Sequence, residues 1–486
     1  MLPNDLTLLT DLYQLTMMQG YYKAEKANRE VVFDLFYRTN PSEGSYAIMA
    51  GLEQVIEYIE NLRFSDEQLD YLRSLNIFDE DFIYYLKEFR FTGDIYAIEE
   101  GSVIFPKEPL IRVKAPLLEA QFIETTLLNI INHQSLIATK SSRVCWAAKG
   151  DGVLEFGLRR AQGPDAGLYG ARAAVIGGCT GTSNVLAGQK FSVPVSGTHA
   201  HSWVMSFDDE LTAFRTYAET FPNACILLVD TYNTLKSGVP NAIKVFDELK
   251  AKGIKPKKYG IRLDSGDLAY LSKEAKKMLD AAGYHDAIIS ASSDLDEYLI
   301  STLKQQGTTI NLWGVGTRLI TSSDCPAFGG VYKLAAKEDE NGQVIPKIKL
   351  SDNPEKVTNP GLKKIYRIYD EATGKIKADL ITLAHEEIDA SKPLTLFDPN
   401  NTWKRMTLKP GAYGARELLK PIFKDGQNIY QSPTVMEIRA FCQKELETLW
   451  PESRRLVNPH VVPVDLSQEL FDLKKDMIEN IKRNSL

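Results

Sequence analysis

The chain is poor in cysteine, holding only Cys145, Cys179, Cys225, Cys325 and Cys442 in 486 residues. They lie far apart, with no Cys-x-x-Cys pair, which excludes a disulfide framework and a cysteine-held zinc cluster. No apolar stretch approaches the ~18 residues of a membrane-spanning helix. The N-terminus lacks the basic start of a secretory signal and carries Asp5 and Asp11 instead. Basic residues are outnumbered, 57 against 64 acidic ones, for a net charge of −7. Nothing therefore draws the whole molecule to nucleic acid or to an anionic membrane, and any phosphate ligand needs a local cationic site. Internal repeats and low-complexity tracts are absent, as are a GxxxxGK[ST] P-loop and a Rossmann glycine fingerprint. These absences leave a cytoplasmic globular protein whose length calls for two or three domains.

What is present is an alternation of short apolar runs and amphipathic segments between residues 152 and 317. The runs are 153–157, 174–178, 193–198, 226–230, 259–264, 287–293 and 311–317. Helix-like segments lie between them, such as 209–221, 239–252, 268–282 and 295–306. Such alternation signals parallel strands with crossover helices, an α/β class. Seven units in so short a stretch favour a closed (β/α) barrel, with a doubly wound sheet as the alternative. A barrel places its active site at the C-terminal strand ends. The unusual polar clusters fall there: Arg159-Arg160, then 178–183, 198–202, 230–233, 264–267, 290–294 and 314–317.

The flanks read differently. Residues 1–135 hold helix-like stretches at 6–22, 51–62 and 66–76, a strand at 31–37, and short strands over 93–113. A long apolar helix, 117–136, leads into a barrel domain spanning 136–335. The remaining segment, 336–486, contains a hairpin over 365–382 and a helix over 468–483, and is expected to pack back on the N-terminal α+β domain.

The chemistry centres on Gly197-Thr198-His199-Ala200-His201-Ser202, which holds two of only six histidines. Histidine titrates near neutrality and acts as a nucleophile, so this turn has metal-binding, structural and covalent readings. A metal pair lacks a third nearby His or Cys. Arg262 and Asp264 alternate on one strand, where a cation and an anion can hold a sugar phosphate, the carboxylate serving hydroxyls or Mg²⁺. Asp267 is placed to cap the following helix. Gly314-Val315-Gly316-Thr317 ends the last strand, where barrels commonly bind phosphate. In Glu155-Phe156-Gly157-Leu158-Arg159-Arg160-Ala161 adjacent arginines point apart, so one serves a ligand while the other pairs structurally.

Together these tracts resemble the nicotinate phosphoribosyltransferase family of type II phosphoribosyltransferases. The resemblance runs from Thr10-Asp11-Leu12-Tyr13-Gln14-Leu15-Thr16-Met17 through Glu155 to Asp165, Thr182-Ser183-Asn184, Ala200-His201-Ser202, Leu228 to Tyr232, and Arg262 to Asp267, ending at Gly314 to Thr317. It implies an irregular barrel with a partner domain, and a homodimer with shared active sites. It also implies that nicotinate and 5-phosphoribosyl 1-diphosphate form nicotinate mononucleotide, coupled to ATP hydrolysis with Mg²⁺. In that scheme His201 becomes phosphorylated and Asp264 serves catalysis and is a candidate magnesium ligand. Tyr13 from the other subunit and Phe156 sandwich the nicotinate ring, with Thr198 and Arg160 or Arg262 at its carboxylate. Arg159, Ser202, Gly314, Gly316 and Thr317 hold the phosphoribosyl group. One departure stands out: many relatives carry an acidic residue before Thr-Ser-Asn, where this chain has Gly181. The competing readings are a nicotinamide or quinolinate phosphoribosyltransferase, and a non-catalytic sugar-phosphate-binding barrel.

Overall fold

The computed structural model describes residues 5–353 and 356–484. The chain divides into two units, Met1–Thr139 with Ala327–Leu486, and Lys140–Pro326. It leaves the first unit within the helix Glu124–Ala147. The expected single helix over 117–136 is two, Leu117–Phe122 and Glu124–Ala147, parted at Ile123.

The first unit is built from both ends of the chain. Its larger sheet orders the strands Val344–Pro346, Gly330–Glu338, Glu30–Tyr37, Ile111–Pro116, Asp94–Ile98, Leu419–Lys424 and Gln427–Asn428. Gly330–Glu338 pairs antiparallel with Glu30–Tyr37, so a boundary at 335 cuts a strand, and the chain re-enters this unit at Ala327 instead. The hairpin of Lys363–Asp370 and Ile376–Leu383 forms as the sequence predicts. The C-terminal helix runs from Gln468 to Asn484.

Arg367 sits at the centre of this unit, fully buried. Its guanidinium donates to Asp379 Oδ2 at 2.7 Å, Glu445 Oε2 at 2.9 Å and the Val103 carbonyl at 2.7 Å. Burial, followed by the charge of Asp379, pushes the Glu108 carboxyl well above its usual range. One arginine thus neutralises carboxylates from a hairpin strand and from the helix Val435–Thr448, which could not both be buried alone.

The second unit is a six-stranded parallel sheet in the order Gly181–Thr182, Gly152–Glu155, Leu312–Val315, Ile288–Ser292, Lys258–Leu263 and Ala224–Leu228. Its strands are apolar because both faces are covered; Ile261, Leu263, Ile289, Ala291, Trp313 and Val315 are all buried. Gly260 is required by packing, since a Cβ there would lie 2.0 Å from the Ile288 carbonyl oxygen.

Two of the seven predicted strands are corrected. Residues 174–178 include the end of the helix Pro164–Ile176, whose second half is buried on all sides and so reads as apolar as a buried strand. Residues 193–198 contribute one isolated bridge, Thr182 with Val195. The strands therefore follow barrel order with one break, between Val195 and Ala224–Leu228, and form a curled half-barrel.

Replacing Arg367 by Met leaves Asp379 and Glu445 buried without their cation. We expect a loss of about 3–5 kcal/mol, read as a lower denaturant midpoint; an unchanged midpoint would show that water reaches these carboxylates.

Candidate active site

The C-terminal ends of the parallel strands share one edge, and the broken ring is bridged there by side chains. Leu228 donates its backbone N–H to His199 Nε2 at 3.2 Å, a bond that a neighbouring strand would otherwise accept. His199 Nδ1 lies 3.4 Å from the Ala200 carbonyl, and its ring meets the edge of Tyr217 at 4.7 Å. Burial, reinforced by the charges of Arg262 and His201, pulls its pKa down to about 4. His199 is therefore a neutral structural imidazole, protonated at Nδ1 and accepting at Nε2.

Arg262 fixes the same turn from the strand Lys258–Leu263. Its guanidinium donates to Thr198 Oγ1 at 2.6 Å and to the His199 carbonyl at 3.1 Å. Its Nε is buried without a hydrogen-bond partner. Burial lowers its pKa, but a guanidinium stays charged. The turn it holds presents His201 at the start of the helix His201–Met205.

His201 differs from its neighbour. Its side chain is 38% exposed, with Nε2 3.6 Å from Asp264 Oδ2 and 3.9 Å from Asp230 Oδ1. Nδ1 lies 3.2 Å from the Thr231 hydroxyl. Asp230, only 2% exposed, accepts the Asp264 backbone N–H at 2.8 Å and the Ser265 hydroxyl at 2.7 Å through Oδ2. Its Oδ1 makes no hydrogen bond. Asp264 accepts the Ser292 hydroxyl through Oδ1. The next residue, Ser293, holds a φ of 138°, a strained conformation of the kind that persists where a site over-determines the backbone.

His201, Arg262, Asp264, Ser292 and Ser293 line a cleft of about 450 Å³ with Phe156, Arg159, Arg160, Ser202, Gly314, Gly316 and Thr317. Phe156 follows the strand Gly152–Glu155 and lies on Gly314, where a Cβ would come within 2.6 Å of its ring. The first glycine of the Gly-x-Gly-Thr turn thus makes room for an aromatic ring, and Gly316 is the more open of the two. Glu155 is buried beneath, accepting the Gly157 N–H and, at 2.6 Å, the Thr182 hydroxyl. Burial raises its pKa.

Ten of the sequence-predicted residues, His201, Asp264, Phe156, Arg160, Arg262, Arg159, Ser202, Gly314, Gly316 and Thr317, line this one cleft. Thr198 stands behind Arg262 with its hydroxyl engaged. Tyr13 belongs to the first unit, half exposed on the helix Leu12–Lys23. Asp267 caps the helix Leu268–Ala281, accepting the Tyr270 N–H at 3.0 Å. Gly181 has no room for a side chain, because a Cβ would lie 2.7 Å from the Pro194 carbonyl oxygen. Sequence reasoning located Asp230 and Ser290 to Asp294 at strand ends without assigning them a task. The bonds that give Asp230 its task reach across 34 residues, and no local pattern encodes them.

Among the described residues, no group of three or more His, Cys, Asp or Glu side chains could hold a metal unaided. The cleft offers Asp264 and Asp294, with the unpartnered Asp230 Oδ1 close to His201. That donor set fits Mg²⁺, which keeps water and substrate phosphates as most of its ligands and needs one or two carboxylates. Among the described residues no helix is long and apolar enough to cross a membrane.

Three family models match the chain. The nicotinate phosphoribosyltransferase N-terminal domain matches residues 8–132, the nicotinate phosphoribosyltransferase family residues 152–373, and the C-terminal domain residues 362–474. Over 479 residues the chain is 49% identical to the nicotinate phosphoribosyltransferase of Bacillus subtilis, covering 99% of this chain and 96% of that protein. It is 37% identical to nicotinate phosphoribosyltransferase 2 of Arabidopsis thaliana, covering 96% and 93%. The crystal structure of human nicotinic acid phosphoribosyltransferase superimposes with a TM-score of 0.84 at 33% identity, covering 96% of this chain and 99% of that one.

The neutral His199 makes a pH prediction. Its folded pKa of about 4 lies below the ordinary 6.5, so the unfolded chain takes up its proton first as pH falls. Stability should therefore be lost between about pH 6.5 and 4, with a slope of up to ~1.4 kcal/mol per pH unit from this group. A His199→Gln variant, measured by denaturation across that range, should show a correspondingly flatter slope. Parallel slopes for the two proteins would refute the assignment.

Proposed function

The chain belongs to the nicotinate phosphoribosyltransferase family, transferases of NAD biosynthesis, and from that premise we propose how its own residues run the reaction. Nicotinate and 5-phosphoribosyl 1-diphosphate give nicotinate mononucleotide and diphosphate, the first step of NAD salvage from nicotinate, coupled to ATP hydrolysis through a phosphohistidine. The observation that carries this reading is the company of His201: a half-exposed imidazole beside two carboxylates, in a cleft that also holds three arginines, an aromatic ring and an open glycine turn.

In the glycosyl step the pyridine nitrogen attacks the anomeric carbon as the bond to diphosphate breaks. No proton need be removed, so catalysis rests on positioning and on charge stabilisation. Phe156 offers one face for the ring, Tyr13 of a second subunit the other, in a cytoplasmic homodimer. Arg160 has its side chain exposed at the cleft and is the better partner for the nicotinate carboxylate, since Arg262 already spends two nitrogens on Thr198 and His199. Thr198 then acts by orienting Arg262. Gly316, Thr317, Ser202 and Arg159 serve the 5′-phosphate. Asp264, pinned by Ser292, faces the ribose hydroxyls and offsets the positive charge that develops on the sugar. Mg²⁺, held by Asp264 and Asp294, would neutralise the diphosphate when bound.

In the coupling step His201 Nε2 attacks the γ-phosphorus of ATP. A nitrogen–phosphorus bond forms, the bond to the ADP oxygen breaks, and water later returns the imidazole and phosphate. Thr231 suits this by accepting a hydrogen bond from Nδ1–H, which leaves the Nε2 lone pair facing the cleft. The positive charge gained by the ring is offset by Asp230 and Asp264.

Incubation with γ-labelled ATP should leave an acid-labile label on the wild type, none on His201→Ala, and label on His199→Ala despite its lower stability. Label on His201→Ala, or none on the wild type, overturns the phosphohistidine. In a separate assay with each free base, nicotinate should yield mononucleotide, while nicotinamide and quinolinate turn over at least ~100-fold more slowly, because a site built for one carboxylate is left unpaired or overfilled by the others. Comparable rates with nicotinamide would reassign the specificity.

A further inference from the structure

The first unit contains a second large cleft, which the chemistry above does not use. Its volume is about 750 Å³, within the range of small-molecule sites. It opens between the hairpin of Leu394–Phe397 with Arg405–Leu408 and the stretch leading into the strand Val464–Leu466, with Lys474 of the C-terminal helix at one side. Its floor is apolar, from the buried Leu396, Val462 and Leu466. Met406 and Val461 line it too, 41% and 59% exposed. These are apolar surfaces the fold leaves uncovered.

The charge of the lining is out of balance, with five lysines and arginines against two aspartates. Asp398 lies 3.9 Å from Lys404, and Asp465 is buried on the strand Val464–Leu466, which pairs with Ile376–Leu383. The other cations have no carboxylate among the described residues. Lys474 donates to the Asn359 amide oxygen at 2.8 Å. Arg405 donates to the Thr402 carbonyl at 2.7 Å and stands over the Phe397 ring. Lys107 holds a φ of 74°, a cost a non-glycine residue bears only where its surroundings impose it. Burial and the charges of Lys107 and Lys363 push the Lys474 ammonium down to about 8, as expected for a cation with too few counter-charges. A protein of net charge −7 has no general reason to concentrate cations around an apolar cleft.

We propose that this cleft is a second ligand site, for a phosphorylated small molecule of mononucleotide size, its phosphate on Lys107 and Lys474 and its ring against Met406 and Val461. Lysines supply point charges for a phosphate, and the wall area suits a flat ring rather than a bare anion.

The test is an equilibrium titration of the full-length protein with adenosine 5′-monophosphate, with adenosine and inorganic phosphate in parallel. Adenosine 5′-monophosphate should bind in a class of sites that Lys107→Met/Lys474→Met weakens about tenfold or more, the loss expected for charge-assisted contacts. His201→Ala, altered in the other cleft, should retain that class. Arg405→Ala removes another of the cleft's cations from an exposed strand position; it should weaken that class too, with an unchanged denaturation midpoint, and so guards against misfolding of the double variant. Identical binding by the wild type and both cleft variants, absence of the class from the wild type, or adenosine binding as tightly as its monophosphate overturns the proposal.

Discussion

Leu228 ends its strand with an N–H that has no neighbouring strand to receive it, and the imidazole of His199 takes that place. Much of the second unit's active face depends on this bond. A closed ring would run a seventh strand through 193–198 and carry its side chains alternately inward and outward. The break frees that stretch to become a turn, and the turn buries His199 while leaving Thr198 and His201 part-exposed. Arg262 locks it from the adjacent strand by holding the hydroxyl of one residue and the carbonyl of the next. Two histidines one residue apart thereby acquire opposite characters, one sealed and neutral, the other half-open beside carboxylates.

Below the cleft the buried carboxylates work as struts. Glu155 joins the end of one strand to its neighbour through Thr182, and Asp230 holds the backbone and hydroxyl of the next strand's turn. Each buried charge is met by directed donors, which is the condition under which burial is tolerable. The arginines stand above this layer, so a protein acidic overall presents a local positive rim to anionic substrates.

The legibility of this molecule follows a physical line. Strands such as Lys258–Leu263 are readable because an apolar run ending in Arg, Asp, Ser and Gly cannot continue into the sheet. The end of Pro164–Ile176 is not, since a helix buried on every side loses the 3.6-residue period that would distinguish it. Residues 193–198 have the composition of a strand but lack a partner on one side, and pairing is a tertiary property. Within the site, residue types and strand-end positions could be read for Phe156, His201, Asp264 and Thr317. The direction of hydrogen bonds could not: that Arg262 spends itself on Thr198, or that Gly314 yields to a ring, depends on neighbours 64 and 158 residues distant in sequence.

The pairing of Asp94–Ile98 with Leu419–Lys424 has a bearing on how the chain is born. The ribosome emits the first of these strands long before the second, roughly 320 residues earlier, and at about 5–20 residues per second the wait lasts tens of seconds. Throughout that time the nascent sheet displays a bare, adhesive border. The intervening half-barrel is a compact unit of its own, whereas the unit that begins first is completed last. Translation speed and chaperone cover between these two strands thus become part of what this architecture requires.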